Sequence, residues 1–211
     1  MEDRIDLVEA GLKYSSRPVS AFVTVFYNNF PNISFNNIVA GAPQTATAAA
    51  RSYGVELELA LRPVEMFEVN FSGNLQSIKY TGFSGVDGNG PFDFSGNRIV
   101  RQPAMTFSIR PVLHLLDGKV DIYSNIMHTG KRFADVSNRI DLPAFTEVSL
   151  GGRWNIADNL SAEVIVTNLF DTVGLTEGNP RAGVINGVNE TAFQGRPIFG
   201  RRVRAGVTFQ F

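Results

Sequence analysis

Apolar and polar residues alternate with a period of two along most of this chain, the pattern of strands with one greasy and one wet face. The last segment is the cleanest. Val203, Ala205, Val207, Phe209 and Phe211 fall on one face, and Arg202, Arg204, Gly206, Thr208 and Gln210 on the other. The first segment sets Val8, Ala10, Leu12 and Tyr14 against Glu9, Gly11, Lys13 and Ser15. Residues 53–62 set Tyr53, Val55, Leu57, Leu59 and Leu61 against Gly54, Glu56, Glu58, Ala60 and Arg62, and residues 67–76 repeat the pattern. Further strands are expected near 20–28, 104–115, 119–128, 145–155 and 160–169, about nine in all. The 20–28 segment is ambiguous, because Phe22 and Phe26 sit opposite Val23 and Val25. Helical signal is nearly absent, and only residues 45–51 (TATAAAR), flanked by Pro43 and Gly54, have the composition for a turn of helix.

Alternation fits a soluble sandwich with its apolar face inward, or a membrane barrel with that face toward lipid. Two features favour the barrel. The expected strands run to roughly ten to fourteen residues, against a usual soluble length of about five to six and a membrane requirement of about 9–11. The connections also alternate between short and long. Ser16-Arg17-Pro18, Pro63-Val64-Glu65, Leu116-Asp117-Gly118 and Ile156-Ala157-Asp158-Asn159 are tight, whereas 29–52, 81–103, 129–144 and 170–200 are long and rich in Gly, Asn and Pro. Outer-membrane barrels keep short turns on the periplasmic side and long loops outside. The fold class expected is all-β, an antiparallel up-and-down transmembrane β-barrel.

Composition sharpens this. The chain is 18% charged, below the roughly one quarter of soluble domains, and its net charge of −1 gives no reason to expect nucleic acid. With no Cys, a disulfide scaffold, a thiolate zinc site and a thiol nucleophile are excluded. No apolar run is long enough for a membrane helix, and residues 1–6 (MEDRID) do not read as a signal peptide. Single-chain bacterial barrels have an even number of strands, and about nine is odd. The expectation is therefore a C-terminal portion of a longer protein spanning 1–211, with a strand miscounted in 29–52 or 170–200 as the competing account.

Chemistry is sparse. Glu56 and Glu58 share a face roughly 7 Å apart and read as a polar lumen wall rather than a glycosidase pair. Arg202 and Arg204 share the polar face of the last strand and are expected to pair with lumen carboxylates or to attract anionic ligands. His114 and His128 fall near opposite ends of adjacent strands, too far apart for a metal pair. Asp87-Gly-Asn-Gly-Pro-Phe-Asp93 has some of a calcium loop but reads as a turn. Trp154 and Tyr14 read as interfacial anchors. No catalytic residue, cofactor or metal is expected.

The C-terminal half resembles a known family. Leu142-Pro-Ala-Phe-Thr-Glu-Val-Ser-Leu-Gly-Gly-Arg-Trp, the segment Asn159-Leu-Ser-Ala-Glu-Val-Ile-Val-Thr-Asn-Leu-Phe-Asp171, Gly195-Arg-Pro and the terminal Arg202-Val-Arg-Ala-Gly-Val-Thr-Phe-Gln-Phe211 are similar to the last strands of TonB-dependent outer-membrane receptors. Tyr53-Gly-Val-Glu-Leu-Glu and Arg101-Gln-Pro-Ala-Met-Thr-Phe-Ser-Ile-Arg look like earlier strands of the same family. The resemblance implies a barrel of about 22 strands closed by an N-terminal plug. It implies uptake of a scarce small-molecule ligand, such as a ferric siderophore, cobalamin or oligosaccharide, with energy passed from TonB through an N-terminal region that these residues lack. It also implies that Val207, Phe209 and Phe211 form the signal read by the outer-membrane assembly machinery, and that the apolar face meets outer-membrane lipid. An outer-membrane barrel enzyme, a passive porin and a soluble β-sandwich binding module are the alternatives.

Overall fold

The computed structural model describes residues 4–39, 42–87, 90–179 and 194–211. In chain order the strands are β1 (Asp6–Ser15), β2 (Val19–Val39), β3 (Ala42–Val64), β4 (Phe67–Gly82), β5 (Ser84–Asp87), β6 (Gly90–Asp93), β7 (Met105–Leu115), β8 (Val120–Thr129), β9 (Arg132–Phe133), β10 (Asp141–Leu142), β11 (Phe145–Ala157), β12 (Leu160–Thr167), β13 (Leu175–Asn179), β14 (Gln194–Pro197) and β15 (Arg202–Phe209). Nine of them form one sheet in the order β1-β2-β3-β4-β7-β8-β11-β12-β15, every neighbouring pair antiparallel. This is the up-and-down wall of a transmembrane barrel, left open between β1 and β15. Among the described residues no helix is long and apolar enough to cross a membrane.

Register builds a single apolar face. Leu12 pairs with Val23, Val23 with Leu57, Leu57 with Gly73 and Gly73 with Phe107. At the other edge Val166 pairs with Val203, Val164 with Ala205 and Ala162 with Val207. Directly paired residues share a face, so Val23 and Val25 lie on the apolar side and Phe22 and Phe26 on the polar side. The ambiguity of residues 20–28 is thereby resolved. Along β7 the apolar band runs from Met105 to Leu115, about 33 Å of strand, which at the usual barrel tilt gives a belt roughly 25 Å tall.

The four short connections lie at one end and the long ones at the other. Between β7 and β8, Leu116, Asp117 and Gly118 all have positive φ (53°, 53° and 80°), the handedness that closes a right-twisted hairpin tightly. The long connections are not bare loops. They carry the two-stranded pairs β5–β6, β9–β10 and β13–β14. The long connection expected at 29–52 is mostly strand, because β2 and β3 continue as one hairpin to Val39 and Ala42. The one stretch with helical composition, 45–51, is no helix for the same reason: it is part of strand β3, paired with β2 across Ala46, Thr47 and Ala48. Pairing with β2 along the stretch, joined by β4 from Ala49 onward, outweighs the weak helical preference of alanine. No tenth barrel strand lies in 29–39 or 42–52, while residues 180–193 fall outside the described set.

The buried hydrophobic cluster sits at the sheet's long-loop end, on the outer ends of β3 and β4 and the connection that follows β4. Ala48, Tyr80 and Phe83 form it, with Phe92, Phe94, Ile99 and Val136 packed against them. The Phe83 ring meets Tyr80, Phe94 and Phe92 at centroid separations of 5.0, 5.5 and 5.7 Å.

Candidate functional site: the polar wall and its outer rim

The polar face of the sheet is a wall of alternating charge and amide. Lys13 on β1, Phe22 and Ser20 on β2, Glu58 on β3, Asn70 and Ser72 on β4, and Ser108 and Arg110 on β7 line an open groove of about 500 Å³. The alternation puts them there, since each is one residue out of step with the apolar set. Glu56 Oε1 accepts a hydrogen bond from Asn74 Nδ2 at 3.1 Å, and Arg110 Nε donates to Ser108 Oγ at 3.4 Å. Both glutamates are exposed. The groove offers cations, a carboxylate and an aromatic ring to whatever fills the lumen.

Across β8, β11 and β12 the wall is locked by a side chain spanning a strand. Tyr123 lies directly opposite Gly151, and its hydroxyl reaches over β11 to Glu163 Oε1 at 2.5 Å. A Cβ on Gly151 would run into the Tyr123 ring. Phe26 uses Gly54 in the same way, its ring 2.7 Å from where a Cβ would stand. Glycine in these strands is space for a ring to cross.

At the outer rim, buried polar residues hold the long connections. Asn168, 1% exposed and with φ of 50°, donates from Nδ2 to the carbonyls of Thr172 and Phe199 and accepts from Thr172 N–H at 2.8 Å. Asp171 Oδ1 accepts from Arg201 N–H at 2.7 Å. Together they tie the end of β12 to the start of β15. Asp135 accepts from the N–H groups of Arg139 and Ile140 and from the Ser137 hydroxyl, closing a tight loop. Asn138 grips Arg98 through both its backbone N–H and its carbonyl. Arg132 donates to the carbonyls of Leu175 and Thr176 and lies over the Phe145 ring. Burial holds its guanidinium below the usual arginine pKa. Glu177 bridges Arg101 at 2.9 Å and Arg196 at 3.1 Å.

A family profile described as TonB dependent receptor-like, beta-barrel, matches residues 4–169. The chain belongs to this family of TonB-dependent receptor barrels. Similar solved structures include the ferric yersiniabactin uptake receptor FyuA from Yersinia pestis, with a TM-score of 0.79 and 19% identity over 99% of this chain and 30% of that one. The siderophore receptor PiuA from Acinetobacter baumannii gives 0.77 and 15% over 97% of this chain and 28% of that one. The copper transporter OprC gives 0.73 and 16% over 99% and 32%. At these identities they establish the fold, and the chain spans about a third of their length or less. No curated protein sequence matches the chain.

In this TonB-dependent receptor barrel, the motifs read from sequence fall at the rim. Asn168-Leu-Phe-Asp171 is the knot described above, and Arg196 of Gly195-Arg-Pro is the second partner of Glu177. Glu56, Glu58, Arg202 and Arg204 all fall on the polar face by register. The expected ion pairs of the two arginines do not form among the described residues. Arg202 lies over the Phe199 ring at 4.2 Å, and Glu163, the nearby carboxylate, is taken by Tyr123. Val207 and Phe209 lie on the apolar face of β15, which has no neighbour on its far side, and Phe211 follows it. His114 lies on the polar face, bonded to Asp121 at 2.7 Å, whereas His128 lies on the apolar face, stacked on Phe107 and bonded to Thr146. Tyr14 and Trp154 are exposed on the apolar face near the short turns. The segment 87–93, partly outside the described residues, is the tip of the β5–β6 hairpin, and its Asp93 carboxylate accepts from Ser95 N–H at 2.8 Å. Sequence reading missed Arg132, Asn138 and Glu177, each of which acts on a backbone or residue distant in sequence, and Asp135, which closes a loop on residues 137–140.

Proposed function

We propose that this chain is the C-terminal part of the barrel of an outer-membrane TonB-dependent receptor in a Gram-negative bacterium. On this reading a plug domain and further strands lie outside residues 1–211, and TonB is engaged through that other region. The receptor imports a scarce small-molecule ligand: a ferric siderophore, cobalamin or an oligosaccharide. The ferric siderophore is the first to test, because PiuA is by name a siderophore receptor and FyuA a ferric yersiniabactin uptake receptor. The work is binding and passage, without catalysis. One observation carries the reading: nine strands share a continuous apolar face and a continuous polar face, with every long connection at one end, in a chain matched to this family over 4–169.

On the same reading, Glu56, Glu58, Arg202 and Arg204 face the lumen. Val207, Phe209 and Phe211 on the unpaired edge of β15 present the signal to the assembly machinery, since a free edge offers its N–H and C=O groups for strand addition. The test is uptake of labelled ferric siderophore and labelled cobalamin by cells with and without the complete receptor gene. Loss of one uptake on deletion, restored by the intact gene and dependent on TonB, is expected. Unchanged uptake of every ligand, or a product found in the soluble fraction, overturns the proposal.

A further inference from the structure

At the outer rim a single carboxylate sits between arginines from two different connections. Glu177 Oε1 meets Arg101 Nη1 at 2.9 Å, and its Oε2 meets Arg196 Nη1 at 3.1 Å. Each oxygen takes one guanidinium nitrogen, so both arginines keep N–H groups for a further acceptor. Their side chains are 45% and 77% exposed, and an acceptor can reach them from solution. Arg101 is fixed from its backbone. Its φ of 64° is held by an N–H bond to the Phe133 carbonyl at 2.8 Å.

The cluster lies on the polar side of the wall. Phe145 is in step with Gly151 on the polar face; its ring fills the space beside Gly174, and the Arg132 guanidinium lies over it at 5.5 Å. The β13–β14 hairpin thus leans from the end of β12 past the outer ends of β11 and β8 to reach Arg101, just before β7. Arg132, 5% exposed, donates to the carbonyls of Leu175 and Thr176, the residues before Glu177, and has no carboxylate partner among the described residues. Three guanidiniums gather about one carboxylate, and the surplus positive charge favours a second anion.

We propose that Arg101 and Arg196 dock a carboxylate group of the receptor's ligand, and that Glu177 fills the pair as an internal stand-in until the ligand arrives. The inference rests on the receptor reading above and adds the ligand's chemistry and the regulation of its site. Exposed ion pairs are weak, so an incoming carboxylate replaces the Glu177 contacts one for one. The exchange unfastens β13–β14 from Arg101 while Arg132 still holds the start of the hairpin. Because the pair is vacant for only a fraction of the time, its apparent affinity is lowered by that fraction.

Removing the stand-in should therefore tighten binding. Glutarate is the probe, titrated by calorimetry into the complete receptor in mild detergent, with uncharged glutaramide and inorganic phosphate for comparison. Glu177→Gln is expected to bind glutarate about fivefold to tenfold more tightly than wild type. Adding Arg196→Gln or Arg101→Gln to that variant should remove the gain, and glutaramide should not bind. Asp141→Asn deletes the same charge at the same rim, from the pair with Lys131, and should leave binding unchanged. Absent, weaker or equal binding by Glu177→Gln, an equal gain in Asp141→Asn, or tighter binding of phosphate than of glutarate overturns the proposal. Should Glu177→Gln fold poorly, Glu177→Asp, too short to span both arginines, gives the same direction at smaller amplitude. The titrations need no transport: a negative result removes the docking pair alone, whereas unchanged uptake on gene deletion removes the receptor reading.

Discussion

On the sheet, Leu12, Val203 and Val207 are 75%, 68% and 72% exposed; in the outer connections Phe83 and Leu142 are 4% and 0% exposed. The most apolar strands thus bury least, and the stretches richest in Gly, Asn and Pro hold the buried core. Ordinary burial has been exchanged between the two regions. In the barrel the solvent for apolar groups is lipid, so alternation needs no partner layer. Beyond the membrane the connections meet water and must build their own core, from Tyr80, Phe83, Phe92 and Phe94, with buried amides and carboxylates satisfying the irregular backbone.

The largest effect expected from breaking this contrast is a charge on the lipid face. Leu57→Arg at mid-belt should cost about 2–4 kcal/mol of membrane-folded stability. The same residue placed on the other face, Ser72→Arg, should cost far less. Urea unfolding of the complete receptor in vesicles measures both; equal costs would mean that the faces do not differ in solvent.

The second effect lies at the rim. Asn168→Ala removes three hydrogen bonds from a buried site and leaves backbone groups unpaired, a cost of about 2–3 kcal/mol. Limited proteolysis should show faster cleavage between β12 and β15, with the barrel itself still resistant. Uniform loss of resistance would mean that the knot supports the whole wall.

Gly151→Ala comes next. Its new methyl displaces the Tyr123 ring and breaks the bond to Glu163, for about 1–3 kcal/mol. Tyr123→Phe should lose only the bond, and a Tyr123→Ala/Gly151→Ala double variant should lose little beyond Tyr123→Ala alone.

These positions also show what could be read in advance. Nine strands, the faces of all but 20–28, and the short turns followed from period two and from turn chemistry such as Asp117-Gly118, because each depends on near neighbours. The reach of β2 and β3 to Val39 and Ala42 did not, since strand pairing there overrides local preference in TATAAAR. Nor did Asn138 or Arg132 stand out, as their partners lie on backbone brought near only by the fold. Arg202 and Arg204 fall on the polar face by register, but the carboxylate pairing expected of them does not form among the described residues, because a hydroxyl on β8 claims Glu163 across a glycine.

The smallest effect is one of pH. The Ser95 hydrogen bonds hold the Asp93 carboxyl below its ordinary value of 3.8. A lowered folded pKa contributes stability that is complete above that ordinary value and is lost as pH falls through the folded one. The hydrogen-exchange protection factors of β5–β6, corrected for intrinsic rates, should therefore fall only below about pH 4, and Asp93→Asn should abolish that dependence. A fall already near neutral pH would assign the hairpin's stability elsewhere.

The most direct measurement of the central claim uses the absence of cysteine from this chain, with any cysteine elsewhere in the receptor replaced first. Single cysteines placed at Leu57, Val164, Glu58 and Arg204 of the complete receptor in vesicles would be tagged with a nitroxide, and its collisions with oxygen and with a water-soluble nickel complex compared. Labels at Leu57 and Val164 should meet oxygen and escape nickel, while those at Glu58 and Arg204 meet nickel. Nickel access at Leu57 and Val164, with shielding at Glu58 and Arg204, would contradict the account.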